Sequence, residues 1–259
     1  MSIFSRRGNR FVLSQTVAAV SPPVSVAFDK NHIYILGTTM VESHIIHEDT
    51  IEASPDGVVA LLRADGSAAH VGVAADQLLI SEKSGAVEVV DLRHGEVVGP
   101  ATNVILPPTD RDTPFGLVTR GSTGYVTIAH SDEIALVRNG QLLALTAIGS
   151  GFPTGPGQQA PCWIALLGPY LFTSNSPSHT ISRLVGTRNH IIIDEPVAAH
   201  TNGAPIDIAA EGHLLAVVES DGGGQSHLTQ FTVDHDGSLT RIASSAIHSG
   251  ANGVAIVRK

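Results

Sequence analysis

The sequence predicts an all-β fold, a β-propeller built from four-stranded blades, and three observations carry that prediction. First, a five-residue anchor recurs: "PVSVA" from Pro23, "HVGVA" from His70, "PFGLV" from Pro114, "PCWIA" from Pro161, "PIDIA" from Pro205 and "NGVAI" from Asn252, at intervals of 47, 44, 47, 44 and 47 residues. Second, the stretches between anchors hold runs of 4–8 residues, β-branched or alternating, bounded by Gly, Asn, Asp and Ser. Third, no segment keeps a 3.6-residue apolar stripe over three turns, which argues against a helical solenoid. A β-sandwich also has many short strands, but it has no reason to repeat at this period.

The elements follow in order. After Pro23 comes "HIYIL" (His32–Leu36), and after His70 come "QLLIS" and "AVEVVDL". Pro114 leads into "GYVTI", "EIALV" and "QLLAL", Pro161 into "PYLFT", "HTISRL" and "HIII", and Pro205 into "HLLAVV", "SHLTQFTV" and "SLTRIA". "RADG", "RNGQ" and "DHDG" are turn sequences. Anchors one to five each have room for four strands. The sixth has eight residues, so the reading favours six blades: about five full ones and a composite terminal blade that takes in the N-terminal run "RFVLSQTVAAV" (Arg10–Val20), with a five-bladed ring that adds both terminal strands to existing blades, or completion by a partner chain, as the alternatives. Closure matters because an open sheet edge invites pairing with other chains. Residues 1–259 are read as one propeller domain.

Composition narrows the function classes. With 42% hydrophobic and 15% charged residues, the chain has the makings of a folded core. A net charge of -9 argues against nucleic acid or an anionic membrane as partner. The single cysteine fits a reducing compartment, the N-terminus does not read as a signal peptide, and no run of about 18 apolar residues occurs. A cytoplasmic protein is the expectation; oligomerisation is left open.

If the strands of a blade are a, b, c and d from the axis outward, alternate directions put the d-to-a and b-to-c connections on one face, where the axial channel opens. That places Pro161-Cys162-Trp163, at the start of a strand a, beside Ser174–His179, a b-to-c turn. The same face should carry Asp112, Phe115, Asn202, Asp207 and Asn252 at strand-a starts, and Glu82, Lys83, His130, Asp132, Glu219 and Asp221 at b-to-c turns. Two long excursions, 37–56 and 149–160, are read as loops beside the channel.

Those residues suit several chemistries. His44 and His47 in "ESHIIHED" have an H-x-x-H spacing that suits a metal or a general base, but a solvated loop accounts for it as well. Cys162 is a nucleophile only with a base nearby, and otherwise a small apolar side chain. A calcium site could draw on Asn175, Asn202, Asp207, Glu219 and Asn252, yet Asn and Asp also favour turns, and the first blade lacks a glutamate where such a ligand would be expected. No P-loop and no G-x-S-x-G elbow is present. The reading is therefore of no metal and no cofactor.

Ala160-Pro161-Cys162-Trp163, Ser174-Asn175, Thr180-Ile181-Ser182, "VDHDGSLT" (Val233–Thr240) and "TPFGLV" (Thr113–Val118) together resemble the lactonase-like β-propellers, the group of bacterial phosphogluconolactonases and fungal carboxymuconate-lactonising enzymes. The resemblance covers residues 110–250. It implies lactone hydrolysis or lactone-forming isomerisation, and a ring that in the family is seven-bladed and longer. The family's catalytic His, Arg and Glu have no residue-by-residue match here.

The expected function is that of a metal-independent enzyme, a lactone hydrolase or an isomerase or cyclase, acting on a small cyclic substrate by acid/base chemistry at the channel mouth. His47, His130 and His179 are the candidates for proton transfer, and Cys162, Trp163, Asn175, Asn202 and Phe115 for the pocket. The alternative is a non-catalytic scaffold that binds on one face.

Overall fold

The repeat appears in the computed structural model as five complete blades. The structure describes residues 1–108, 113–148 and 157–257. Strands β1 (Ser2–Arg7) and β2 (Arg10–Thr16) form a hairpin. The first blade is β3 (Pro23–Phe28), β4 (His32–Gly37), β5 (Met40–His47), the two-residue β6 (Thr50–Ile51) and β7 (Gly57–Ala60), where both β6 and β7 pair with β5. The second is β8 (Ala68–Ala74), β9 (Gln77–Glu82), β10 (Ala86–Arg93) and β11 (Glu96–Asn103). The third is β12 (Pro114–Arg120), β13 (Thr123–Ile128), β14 (Glu133–Arg138) and β15 (Gln141–Ala147). The fourth is β16 (Pro161–Leu167), β17 (Tyr170–Asn175), β18 (Thr180–Gly186) and β19 (Ile191–His200), and the fifth β20 (Ala204–Glu211), β21 (Leu214–Ser220), β22 (Ser226–Val233) and β23 (Leu239–Ile247). Each blade is an antiparallel meander, and the innermost strands β3, β8, β12, β16 and β20 pack side by side in that order.

The blades are glued by what alternation buries. Four apolar clusters lie between successive blades, for example Tyr34, Leu36, Leu78 and Ile80 between the first and second, and Phe172, Ile181, Leu215 and Phe231 between the fourth and fifth. A fully buried side chain of this size contributes about 1.5–3 kcal/mol, so the interfaces dominate the stability of the stack.

One irregularity recurs in every innermost strand. The register slips just after the strand start, between Pro23 and Ser25, Ala68 and His70, Pro114 and Leu117, Pro161 and Trp163, and Pro205 and Asp207. These bulges are the true repeat markers, and they correct the second anchor. The residue equivalent to the prolines is Ala68, which gives intervals of 45, 46, 47 and 44, and His70 lies two positions further in. A proline suits the strand start because it has no N–H to give to the ladder.

In the third, fourth and fifth blades a hydroxyl from the preceding blade donates to a carbonyl at the bulge. Ser81 Oγ donates to the Phe115 carbonyl at 2.5 Å, Thr127 Oγ1 to Cys162 at 2.8 Å, and Ser176 Oγ to Pro205 at 2.5 Å. The small-polar cluster Ser174–Ser176 therefore binds strands together. Ser174 Oγ accepts from Trp163 N at 3.1 Å, and the fully buried Asn175 amide donates to Thr180 Oγ1 and Ser182 Oγ.

The excursion 37–56 differs from the expectation of a loop. Its middle, Met40–His47, is the third strand of the first blade, with Val41, Glu42, Ser43 and His44 all buried. The charged letters hid the strand because Glu42 and His44 find polar partners inside: Glu42 Oε2 accepts from Val20 N at 3.0 Å, and His44 Nδ1 lies 2.8 Å from the Glu52 carbonyl.

Both chain ends lie outside the five blades. Val254 N donates to Asp207 Oδ2 at 2.7 Å, which sets the segment around Asn252–Val254 beside β20, in the place of an innermost strand, although it forms no ladder. The N-terminal run is a strand as expected, but its ladder partner is β1, and the hairpin lies against the first blade through Gln15 and Ile51 and through Arg7 and Asp49. No helix among the described residues is long and apolar enough to cross a membrane. Asp112 and the run 149–156 lie outside the described residues.

Candidate active site

The bulges turn side chains toward the axis, where they wall a cavity of about 450 Å³. All five innermost strands and the C-terminal segment contribute: Ser25 from β3, His70 from β8, Phe115 from β12, Trp163 from β16, Asp207 from β20, and Asn252. Ser25, His70, Trp163 and Asp207 each lie two residues past the residue before the bulge (Pro23, Ala68, Pro161 and Pro205), and Asn252 follows Asp207 by the 45 residues of the repeat. The exposed Lys83, in a b-to-c turn, stands at the rim and marks this end as the mouth. An adjoining cavity of about 370 Å³ shares Phe115, Trp163 and Asn252 and adds Cys162 and Ser176.

The aromatic wall is built edge to face. Trp163 meets Phe115 with ring centroids 4.9 Å apart at 69°, and His70 at 5.3 Å and 78°. Gly116 allows this close packing. A Cβ there would come within 2.6 Å of the Cys162 carbonyl and 2.8 Å of Trp163 Cα, so the neighbouring inner strands could not approach as they do.

His70 has a defined protonation state. Leu117 N donates to its Nδ1 at 3.0 Å, so the neutral ring carries its proton on Nε2. Burial holds the imidazole at a pKa of about 4, well below the ordinary histidine value. It is therefore a neutral hydrogen-bond donor at neutral pH. Asp207 is the acidic counterpart. Burial raises its pKa above the ordinary carboxylate value, and the N–H groups of Ile208, at 2.8 Å, and Val254 partly offset that rise. Burial likewise raises the Cys162 thiol, with a hydrogen bond to Ser176 acting the other way, so no thiolate is favoured there.

The sequence-predicted residues divide by where the topology puts them. Phe115, Cys162 and Trp163 line the two adjoining cavities. His130, in a short 3-10 turn at Ala129–Ser131, and His179 occupy b-to-c connections on the mouth side. Both are exposed outside the lining, with His130 Nδ1 2.9 Å from Thr113 Oγ1. His47 closes β5 at its c-to-d end and so belongs to the opposite face, where its Nε2 lies 2.7 Å from Glu52 Oε1. Asn175 is occupied by Thr173, Thr180 and Ser182. Asn202 is exposed in the connection before β20 and accepts from Arg241 at 3.1 Å.

The acidic residues expected at the mouth tie connections down. Glu219 Oε2 accepts from Asn202 N at 2.9 Å and Gly203 N at 3.2 Å, and Glu82 Oε2 accepts from Ser67 Oγ at 2.8 Å. Of the five oxygen donors that a calcium site could draw on, Asp207 and Asn252 line the cavity. In the sequence His70 reads as the anchor of its repeat, and the position two past the residue before each bulge marks it as a side chain of the cavity.

No protein-family profile and no curated protein sequence matches the chain. Solved structures do resemble it. A protein of Bacteroides uniformis, provisionally named a 6-phosphogluconolactonase, aligns over 94% of this chain and 76% of its own at 16% identity, with a TM-score of 0.73. The periplasmic gluconolactonase of Pseudomonas aeruginosa aligns over 94% and 78% at 15% identity, TM-score 0.68. Virginiamycin B lyase of Staphylococcus aureus aligns over 86% and 70% at 16% identity, TM-score 0.60. At such identities the likeness speaks to architecture alone, that of a β-propeller.

Proposed function

We propose that this protein is a lactonase-type enzyme that opens a small cyclic ester in the axial cavity. The observation that carries the reading is the pairing, in one cavity, of a neutral imidazole fixed as an Nε2–H donor with a carboxyl group whose pKa is raised by burial. Two of the similar structures are named as lactonases, which supports the same reaction class.

The chemistry follows from those two groups. Water attacks the ester carbonyl carbon while the Asp207 carboxylate takes its proton. The His70 Nε2–H, with the Lys83 ammonium at the rim, stabilises the oxygen that gains negative charge. The tetrahedral centre then expels the ring oxygen, which recovers the proton from Asp207 and leaves a hydroxy acid. Trp163 and Phe115 supply a flat apolar wall for the body of the substrate.

The test is lactone opening by purified protein, followed by proton release with δ-gluconolactone and dihydrocoumarin. Turnover should fall by about 10²–10⁴-fold in Asp207→Asn and about 10²–10³-fold in His70→Ala, with the folded β spectrum kept. Turnover that survives both changes contradicts the reading.

A further inference from the structure

The geometry points to a second site, a phosphate-binding pocket between the third and fourth blades on the face away from the axial mouth. Three of the chain's fifteen Lys and Arg residues, Arg120, Arg138 and Arg188, line one cavity of about 400 Å³. Arg120 ends β12 and Arg138 ends β14, while Arg188 follows β18. All three stand at a-to-b or c-to-d connections, which by the alternation of strands open on the opposite face from Lys83.

Three guanidiniums in one pocket repel one another unless an anion is present. The described residues lining this pocket include no carboxylate. None of these three arginines forms an ion pair with a described residue, whereas Arg7 and Arg183 do. What holds them is neutral. Arg138 Nε donates to Thr123 Oγ1 at 3.0 Å, and its terminal nitrogens donate to Asn189 Oδ1 at 3.5 Å and to the Arg188 carbonyl. Arg120 donates once, to the Gly168 carbonyl. The Arg188 guanidinium has no hydrogen-bond partner among the described residues and is exposed. Two of the forks are thus oriented without being neutralised, in a chain whose net charge is -9.

The arrangement selects its ligand. A phosphate monoester dianion offers three terminal oxygens to planar forks that bind in bidentate fashion, and two negative charges to a site with three positive ones. The hydroxyls of Ser122 and Tyr125 line the same cavity and suit a polar organic body attached to the phosphate. The site is independent of the lactonase reading, since none of its residues lines the axial cavity.

Calorimetric titration of the whole protein at low ionic strength tests it, with inorganic phosphate, glycerol 3-phosphate and citrate as probes. Saturable binding of either phosphate is expected, weakened about tenfold in Arg188→Ala and in Arg120→Ala, and unchanged in the remote control Arg10→Ala. Glycerol 3-phosphate binding more tightly than phosphate assigns the site to an organic ester, and equal binding assigns it to the free anion. Arg188 holds no other side chain, so its removal leaves the fold intact as a reference. Absence of saturable phosphate binding, indifference to Arg188→Ala, or citrate binding as tightly as phosphate would overturn the proposal.

Discussion

His70 shows how a backbone contact decides a side chain's chemistry. Because Leu117 N occupies Nδ1, the ring offers a proton at Nε2 and has no lone pair there with which to accept one. The pH profile should reflect this. Asp207 must be ionised to take a proton from water, so kcat/KM is expected to rise with pH through a value above 3.8, with no inflection near 6.5 from His70, already neutral above about 4. A single acid limb at 6–7 that disappears in His70→Ala would contradict the assigned roles. Glu82 makes a second prediction at this scale. Burial, with Glu88 and Asp65 nearby, raises its pKa from 4.5 to about 7 although Ser67 donates to it. The native state thus keeps a proton between those values that the unfolded chain has released, and stability falls as pH rises from about 4.5 to 7. Glu82→Gln should remove that loss, gaining on the order of 1–2 kcal/mol at pH 8 relative to wild type and little at pH 4, as read from urea unfolding. An equal effect at both pH values would refute the linkage.

At the level of the strand, the bulge with its hydroxyl partner joins the inner strands β12, β16 and β20 to the blade before each. Thr127 Oγ1 accepts from Gly116 N and donates to the Cys162 carbonyl, so it joins two blades through one atom. Thr127→Val keeps the shape and leaves buried backbone groups unpaired, which should cost about 1–3 kcal/mol in chemical denaturation. Gly116→Ala drives a methyl into backbone of the next blade, with a similar cost of about 1–3 kcal/mol and a displaced Trp163. If both variants are as stable as wild type, the bulge carbonyls are not satisfied as described. The same scale shows what could be read in advance. Prolines at strand starts, turn sequences and alternating apolar runs announced β12 to β23, because each is a local property. The strand Met40–His47 escaped because Glu42 and His44 are buried by partners 22 and 8 residues away, a fact of tertiary structure. Asn175 ends β17 and Asn202 precedes β20, on the mouth side, yet position in the sequence does not reveal what a side chain already binds. His70 and Asp207 differ in type from Ser25 and Trp163, their counterparts in the repeat, so only the shared register joins them.

For the whole molecule, the repeat turns one-dimensional spacing into a ring of side chains facing one axis. The C-terminal segment belongs to that ring through Asn252 and Val254 yet contributes no ladder. Truncation after His248 should therefore leave the β spectrum of five blades nearly unchanged while lactone opening is lost, because Asp207 gives up the Val254 N–H and the cavity loses a wall. Unaltered activity in the truncated protein would show that the axis is closed without it. The most direct test of the shared axial cavity uses the chain's single tryptophan, which stands in its wall. Titration of Trp163 emission with gluconate and with the ring-opened acid of dihydrocoumarin should give a saturable change with at least one of them, weakened about tenfold or more in His70→Ala. Emission that stays flat while the protein turns over lactone would put the reaction elsewhere and contradict the account.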